Sequence, residues 1–277
     1  MGSDTTADIT TTGAVSVTAG TSIGATGAGA LDIASSTNLT LDSNDDVAVR
    51  GSAQTLTDLT LTVDGGTDGA VYELTNLANI TETITTDNTD LTVTALDATG
   101  DANLSLTNDT GNVTVTSFDT TLAGTLSVTA SSGNIILADG ALVTGSGGVS
   151  LNASGTIDES TNATTTNITT TGGLTLTSGG AIADNIDVTG HLDIDVGTVN
   201  VTATGGTDVS LRDAGTSNTT YTVATGGAGD VSLNQAANNL VVDTITTTNG
   251  AVTLVGAANV FELGSDTTAD ITTTGAV

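Results

Sequence analysis

Apolar and polar residues alternate along this chain in short bursts, apolar–polar–apolar, each followed by a cluster of small or polar residues. The series begins with VSV (15–17), LDI (31–33), LTL (39–41), LTLTV (59–63), LTV (91–93), LSL (104–106) and VTV (113–115). It continues with LSV (126–128), VSL (149–151), LTL (174–176), LDI (192–194), VNV (199–201), VSL (209–211 and 231–233) and VTL (252–254). A two-residue period places successive side chains on opposite faces, so each burst predicts a short, half-buried β-strand. Threonine is the usual outward partner, and its branched Cβ suits a pleated surface. No sustained 3.6-residue apolar stripe occurs, so almost no helix is expected.

The segments between bursts carry Asp64-Gly65, Asp68-Gly69, Asp139-Gly140 and Asn249-Gly250, which supply the positive-φ positions of sharp corners. Read as hairpin turns, they would build tandem antiparallel β-sandwich repeats. Two features favour a coil instead. The only aromatics are Tyr72, Phe118, Tyr221 and Phe261, too few to seal a two-layer sandwich. Proline is absent, as expected where every strand hydrogen-bonds to a neighbour on both sides. The predicted fold is therefore all-β, a parallel β-helix (β-solenoid), with the tandem antiparallel sandwich as the alternative.

The segment GSDTTADITTTGAV at residues 2–15 returns unchanged at residues 264–277, an offset of 262 residues. Residues 1–263 thus read as one repeat unit, a continuous solenoid, and residues 264–277 as the start of the next copy. Met1 stands where Leu263 stands before the second copy. A finer echo runs inside the unit: ITTT phrases begin at Ile9, Ile168, Ile245 and Ile271, the last two 26 residues apart. Periods of that size mark solenoids and related arrays.

Charge then narrows the partners. The 277 residues carry 31 Asp+Glu against 2 Lys+Arg, for a net charge of −29. Such a chain repels phosphate backbones and anionic lipid surfaces, so nucleic-acid binding is not expected. No stretch approaches the roughly 18 consecutive apolar residues of a membrane-spanning helix, so no membrane insertion is expected either. Without cysteine there are no disulfides or thiolate metal sites, and without lysine no Schiff-base chemistry. The beginning, MGSDTTADIT, lacks the features of a signal peptide, so a secretion signal would have to lie outside this segment. Apolar residues still make up 37% and mean hydropathy is +0.20, enough for a folded chain with a narrow aliphatic core.

The phrases ITTTGGLTLTSGGAI, GNIILADGALVTGSGGVSLNASGTI and VNVTATGGTDVSL resemble the repeat regions of giant bacterial surface β-strand-repeat proteins. These are the filamentous-haemagglutinin-like adhesins and related surface-layer proteins. The resemblance implies a right-handed parallel β-helix, secretion to the bacterial cell surface, and a filamentous shape. The partners it implies are further copies of the chain, end to end, and cell-surface glycans. It carries over no catalytic residue, and no enzymatic activity is expected. The expected function is a structural repeat of an extracellular filament, sheath or surface layer, with the stalk of an adhesin as the alternative. Thr-x-Thr phrases such as Thr60/Thr62 and Thr175/Thr177 add a remote alternative, an ice- or carbohydrate-binding solenoid.

Ca2+ is the candidate cofactor, because carboxylates and carbonyls at turns are its natural donors. The candidate ligands are Asp42, Asn44, Asp45 and Asp46 in LDSNDD, although Val47 stands where a calcium loop has glycine. GGAGDVSL (226–233) is one residue short of a calcium-binding nonapeptide. The competing reading is that turn carboxylates simply keep a long rod soluble. His191, beside Asp193 and Asp195, is expected as a surface residue. Arg50 and Arg212 are expected to balance Asp45/Asp46 and Asp213.

Overall fold

The computed structural model describes residues 6–25, 29–34, 38–52, 58–63, 70–78, 81–86, 90–99, 103–120, 123–161, 164–183, 190–264 and 268–277. Among them the chain forms β1 (Ile9–Thr10), β2 (Val15–Ala19), β3 (Leu31–Ala34), β4 (Asn38–Ser43), β5 (Val47–Ser52), β6 (Asp58–Val63), β7 (Ala70–Ala78), β8 (Thr81–Thr86) and β9 (Asp90–Thr99). The middle holds β10 (Asn103–Asn108), β11 (Asn112–Val115), β12 (Phe118–Thr120), β13 (Leu126–Ala130), β14 (Ile135–Leu137), β15 (Leu142–Val143), β16 (Val149–Ala153), β17 (Ile157–Glu159), β18 (Ile168–Thr169) and β19 (Gly173–Ser178). The last part holds β20 (Leu192–Asp195), β21 (Thr198–Ala203), β22 (Val209–Asp213), β23 (Thr219–Thr225), β24 (Val231–Gln235), β25 (Leu240–Thr246), β26 (Val252–Gly256), β27 (Val260–Glu262) and β28 (Ile271–Thr272). Every alternating phrase quoted above falls within one of these strands. No α-helix occurs among the described residues.

Each strand pairs in parallel with the strand one lap away. Val113, Ile135 and Ile157 stack at 22-residue intervals, while the lap from Ile33 to Gly51 takes 18 and that from Leu142 to Ile168 takes 26. Parallel pairing at this spacing is a β-solenoid and excludes the antiparallel sandwich. One sheet has 15 strands, a second has 10, and β2, β4 and β6 form a third. The largest sheet carries two columns, because β9 pairs with β11 through Leu91–Val93 and with β12 through Leu96–Ala98.

Inward positions stack as like on like. Leu106, Val128, Leu151, Leu176, Val201 and Val223 form one row, all buried. Each lap therefore buries its aliphatic side chains against its neighbours, and stability accumulates lap by lap. Among the residues whose burial is described, the fully buried aromatics are Phe118 and Tyr221.

The corners need glycine for two different reasons. Gly140 adopts a positive φ of 68°, as its Asp-Gly context predicts. Gly250 is needed for closeness, since a Cβ there would lie 1.9 Å from the Gly229 carbonyl oxygen in the lap beneath. Asp64-Gly65 and Asp68-Gly69 lie outside the described residues. Asparagine supports another corner: Asn134 N–H donates to Asn112 Oδ1 (2.9 Å), and Thr156 N–H donates to Asn134 Oδ1 (2.8 Å). Side chain of one lap thus satisfies backbone of the next, which regular strand pairing cannot do at a bend.

The ITTT phrases do not all occupy the same face. Ile9 and Ile168 lie in the 15-stranded sheet, whereas Ile245 and Ile271 lie in the 10-stranded sheet and stack directly on each other. The phrase encodes a short strand followed by a corner, and either sheet can use it.

Candidate functional site

The two large sheets present different chemistry outward. In the 10-stranded sheet, β10, β13, β16, β19, β21 and β23 contain no charged residue. Their outward positions stack in register: Ser105, Ser127, Ser150, Thr175, Asn200 and Thr222 make one row, and a second runs beside it from Thr107 to Ala224. On the next rung Asp243 sits at a bulge, where it accepts a hydrogen bond from Thr222 Oγ1 (2.8 Å).

The 15-stranded sheet concentrates charge, most densely where β17, β20 and β22 stand near one another. Both sides of β20 are buried: Leu192 and Ile194 face the core, and Asp193 on the other side is only 1% exposed. Asp193 stacks directly on Arg212 and accepts from its Nε (2.6 Å) and Nη2 (2.9 Å). Arg212 also donates to the Thr164 carbonyl, and the Asp193 N–H donates to Asn167 Oδ1 (3.0 Å). Burial nonetheless raises the Asp193 carboxyl above its ordinary range, against the lowering effect of Arg212.

Glu159, at the end of β17, has no such partner. It is 8% exposed, and neither carboxylate oxygen makes a hydrogen bond. Burial, reinforced by the charges of Asp193, Asp158 and Asp139, pushes its pKa from 4.5 to about 7. Farther along, Asp213 is fully buried and accepts from Gly215 N–H (2.6 Å) and from Thr219 Oγ1. Burial raises it to about 6. Beside it the Tyr221 hydroxyl donates to Gln235 Oε1 (3.4 Å), and burial pushes the phenol pKa upward.

His191 is buried, not on the surface, and its Nδ1 is hydrogen-bonded with Ser210 Oγ. A serine–histidine pair is the start of a nucleophilic site. Here Ser210 is fully buried, so no substrate reaches its hydroxyl in this structure. The neighbouring Asp193 is committed to Arg212.

Both arginines correct the sequence-based expectation. Arg50 pairs with Asp32 (2.7 Å), not Asp45/Asp46, and Arg212 pairs with Asp193, not Asp213. In each case the partner is the residue stacked one rung away in the parallel ladder. Sequence neighbours in a strand point to opposite faces, so the nearest opposite charge lies 18 or 19 residues distant.

The calcium candidates occupy the corner between β4 and β5. Asp42 is on β4, whereas Asn44, Asp45 and Asp46 follow it. Asn44 Nδ2 donates to the Gly20 carbonyl (3.1 Å), and the Asp45 N–H donates to Ser43 Oγ (3.2 Å). Ser43 Oγ reaches the Thr21 carbonyl (2.5 Å). These contacts tie one lap to the next. Among the described residues, no three acidic or histidine side chains are grouped to hold a metal ion. In GGAGDVSL, Asp230 accepts the Ala251 N–H (2.6 Å), while its own N–H donates to Asp208 Oδ1 (2.7 Å). That is the arrangement of the asparagine ladder, a carboxylate serving the backbone of the adjacent lap.

Among the described residues, no helix is long and apolar enough to cross a membrane. In comparisons with protein-family models, curated proteins and solved structures, nothing matches the chain.

Proposed function

We propose that this chain is a structural unit of an acidic rod, extended by axial β-stacking into an extracellular filament, sheath or surface layer. One observation carries the reading. The second copy of the repeated segment continues the ladder of the first unit, with Ile271 and Thr272 stacked on Ile245 and Thr246. Its Ala276 carbonyl accepts the Val252 N–H (2.8 Å). The five exposed large apolar residues among those described, Val255, Val260, Phe261, Leu263 and Val277, all lie in the last laps. Open strand edges with apolar side chains are surfaces that a further lap covers. Secretion and a bacterial surface setting rest on the resemblance of the repeat phrases. An adhesin stalk would use the same rod to carry a binding domain elsewhere.

Electron microscopy of a two-unit polypeptide tests the axial part. The expected images show unbranched rods about twice as long as those of one unit, with unchanged width. Separate compact beads joined by a linker would overturn it.

A further inference from the structure

Six successive strands of the 10-stranded sheet, β10, β13, β16, β19, β21 and β23, carry no charge and present rows of Ser, Thr and Asn outward. We propose that this face is the surface on which two rods pair side by side, the partner being a second copy of this chain. The proposal rests on the rod itself, not on the axial reading.

Three observations converge on a second copy. The first is charge. Two chains of net charge −29 repel each other, and screened repulsion is smallest where neither surface carries a carboxylate. The six strands β10, β13, β16, β19, β21 and β23 form such a surface, whereas strands of the 15-stranded sheet carry Asp119, Asp158 and Asp195.

The second is self-complementarity. A hydroxyl donates and accepts, as does an amide, so rows of Ser, Thr and Asn can hydrogen-bond to an identical row across a twofold axis. A carboxylate only accepts, so a row of aspartates cannot. The third is area. Six rungs at ~4.8 Å and about five residues at ~3.3 Å give a patch of roughly 500 Å2. A pair then buries roughly 1,000 Å2, the lower bound of a specific interface. One unit pairs weakly, and a tandem array multiplies the contact along its length.

The test is mass per unit length, from scanning transmission microscopy or the cross-section term of X-ray scattering, on the 277-residue chain. Lateral pairing doubles this quantity, whereas axial stacking leaves it unchanged and lengthens the particle. The expected result is single rods at about 0.01 M salt, where screening reaches ~30 Å, and doubled mass per length near 1 M, where it reaches ~3 Å.

Ser127→Asp/Ser150→Asp/Thr175→Asp should keep single mass per length at every salt concentration, with pairing weakened at least about tenfold by like charges. Ser232→Asp/Thr253→Asp, on the other sheet, should pair as the parent does. Should the triple variant fail to fold, Ser150→Asp alone should raise the salt concentration at which doubling begins. Doubling that survives these face substitutions, or single rods in the parent at all salt concentrations, overturns the proposal. Single rods that instead adsorb to ice or crystalline glucan through this face overturn the choice of partner.

Discussion

The two large sheets share one backbone plan and differ in what their outer sides ask of it. On the 10-stranded sheet, outward residues such as Thr175 and Thr202 are exposed, and water satisfies them. On the 15-stranded sheet around β20, outward residues are buried, so each charge needs a partner supplied by the lap above or below. Asp193 has Arg212, whereas Glu159, on the inward side of the nearby β17, has none. A parallel ladder stacks whatever the sequence offers at one-lap spacing, so it can build an ion pair and can also strand a carboxylate.

Breaking the ion pair should produce the largest effect. Arg212→Ala leaves Asp193 buried without its counter-charge, a change that costs about 3–5 kcal/mol in other buried pairs. Thr175→Ala, on the outer side of the other sheet, should stay within about 0.5 kcal/mol of the parent. Urea denaturation of the two variants checks the contrast. Equal midpoints would show that β20 is not closed as described.

Glu159 sharpens the comparison through pH. Its pKa is about 7 when folded and 4.5 when exposed, so the folded chain holds this proton more tightly than the unfolded one. Its stabilising contribution is therefore full below about pH 4.5 and is lost as pH rises through about 7. Asp213, raised to about 6, acts in the same direction. The chain should be more stable at pH 5 than at pH 8, the reverse of ordinary acid denaturation. Glu159→Leu should raise stability at pH 8 by on the order of 1–3 kcal/mol and flatten the profile. Thermal melts at both pH values read the difference, and a parent that melts higher at pH 8 would contradict the burial of Glu159.

These contrasts also mark what the sequence makes legible. Phrases such as LSL at 104–106 and VTL at 252–254 announce their strands, because alternation is local and survives without knowledge of neighbours. Strands such as β14 (IIL) and β17 (IDE) escape, since outward Ile136 and inward Glu159 break the alternation. The ion pairs escape for a different reason. Arg212 lies 19 residues from Asp193, and lap lengths of 18 to 26 residues leave the register unspecified until the chain is wound. The six uncharged strands of the 10-stranded sheet are readable one by one, but their continuity is not. Thr-x-Thr phrases look irregularly spaced along the chain because laps differ in length and because the phrases belong to different sheets: Thr60/Thr62 lie in β6 of the 3-stranded sheet and Thr175/Thr177 in β19 of the 10-stranded sheet.

The corner ladder gives a smaller effect. Asn134→Ala removes the acceptor of the Thr156 N–H at this bend. A cost of about 1 kcal/mol is expected, the net value of a hydrogen bond partly replaced by water. A matched change on the hydroxyl sheet, Asn152→Ala, should cost less, because Asn152 is exposed. Hydrogen exchange at the Thr156 amide locates the effect: it should speed up in Asn134→Ala and stay unchanged in Asn152→Ala.

Calcium provides the smallest expected effect and tests whether the acidic corners differ in kind from the charged sheet. At Asp42, Asn44, Asp45 and Asp46, the amide of Asn44 and the hydroxyl of Ser43 already bind carbonyls of the preceding lap. Among the described residues, no three acidic or histidine side chains are grouped to hold a metal ion. A specific ion held at a hundredfold excess over its dissociation constant would add about 2.7 kcal/mol. With no such group among the described residues, Ca2+ and Mg2+ at equal ionic strength should move the melting midpoint equally, through screening of the net charge alone. Asp45→Asn should leave that response unaltered. A rise specific to Ca2+ and lost in Asp45→Asn would show that the corner rearranges around the ion, and would place this acidic corner beside the Asp193–Arg212 pair as a built electrostatic feature.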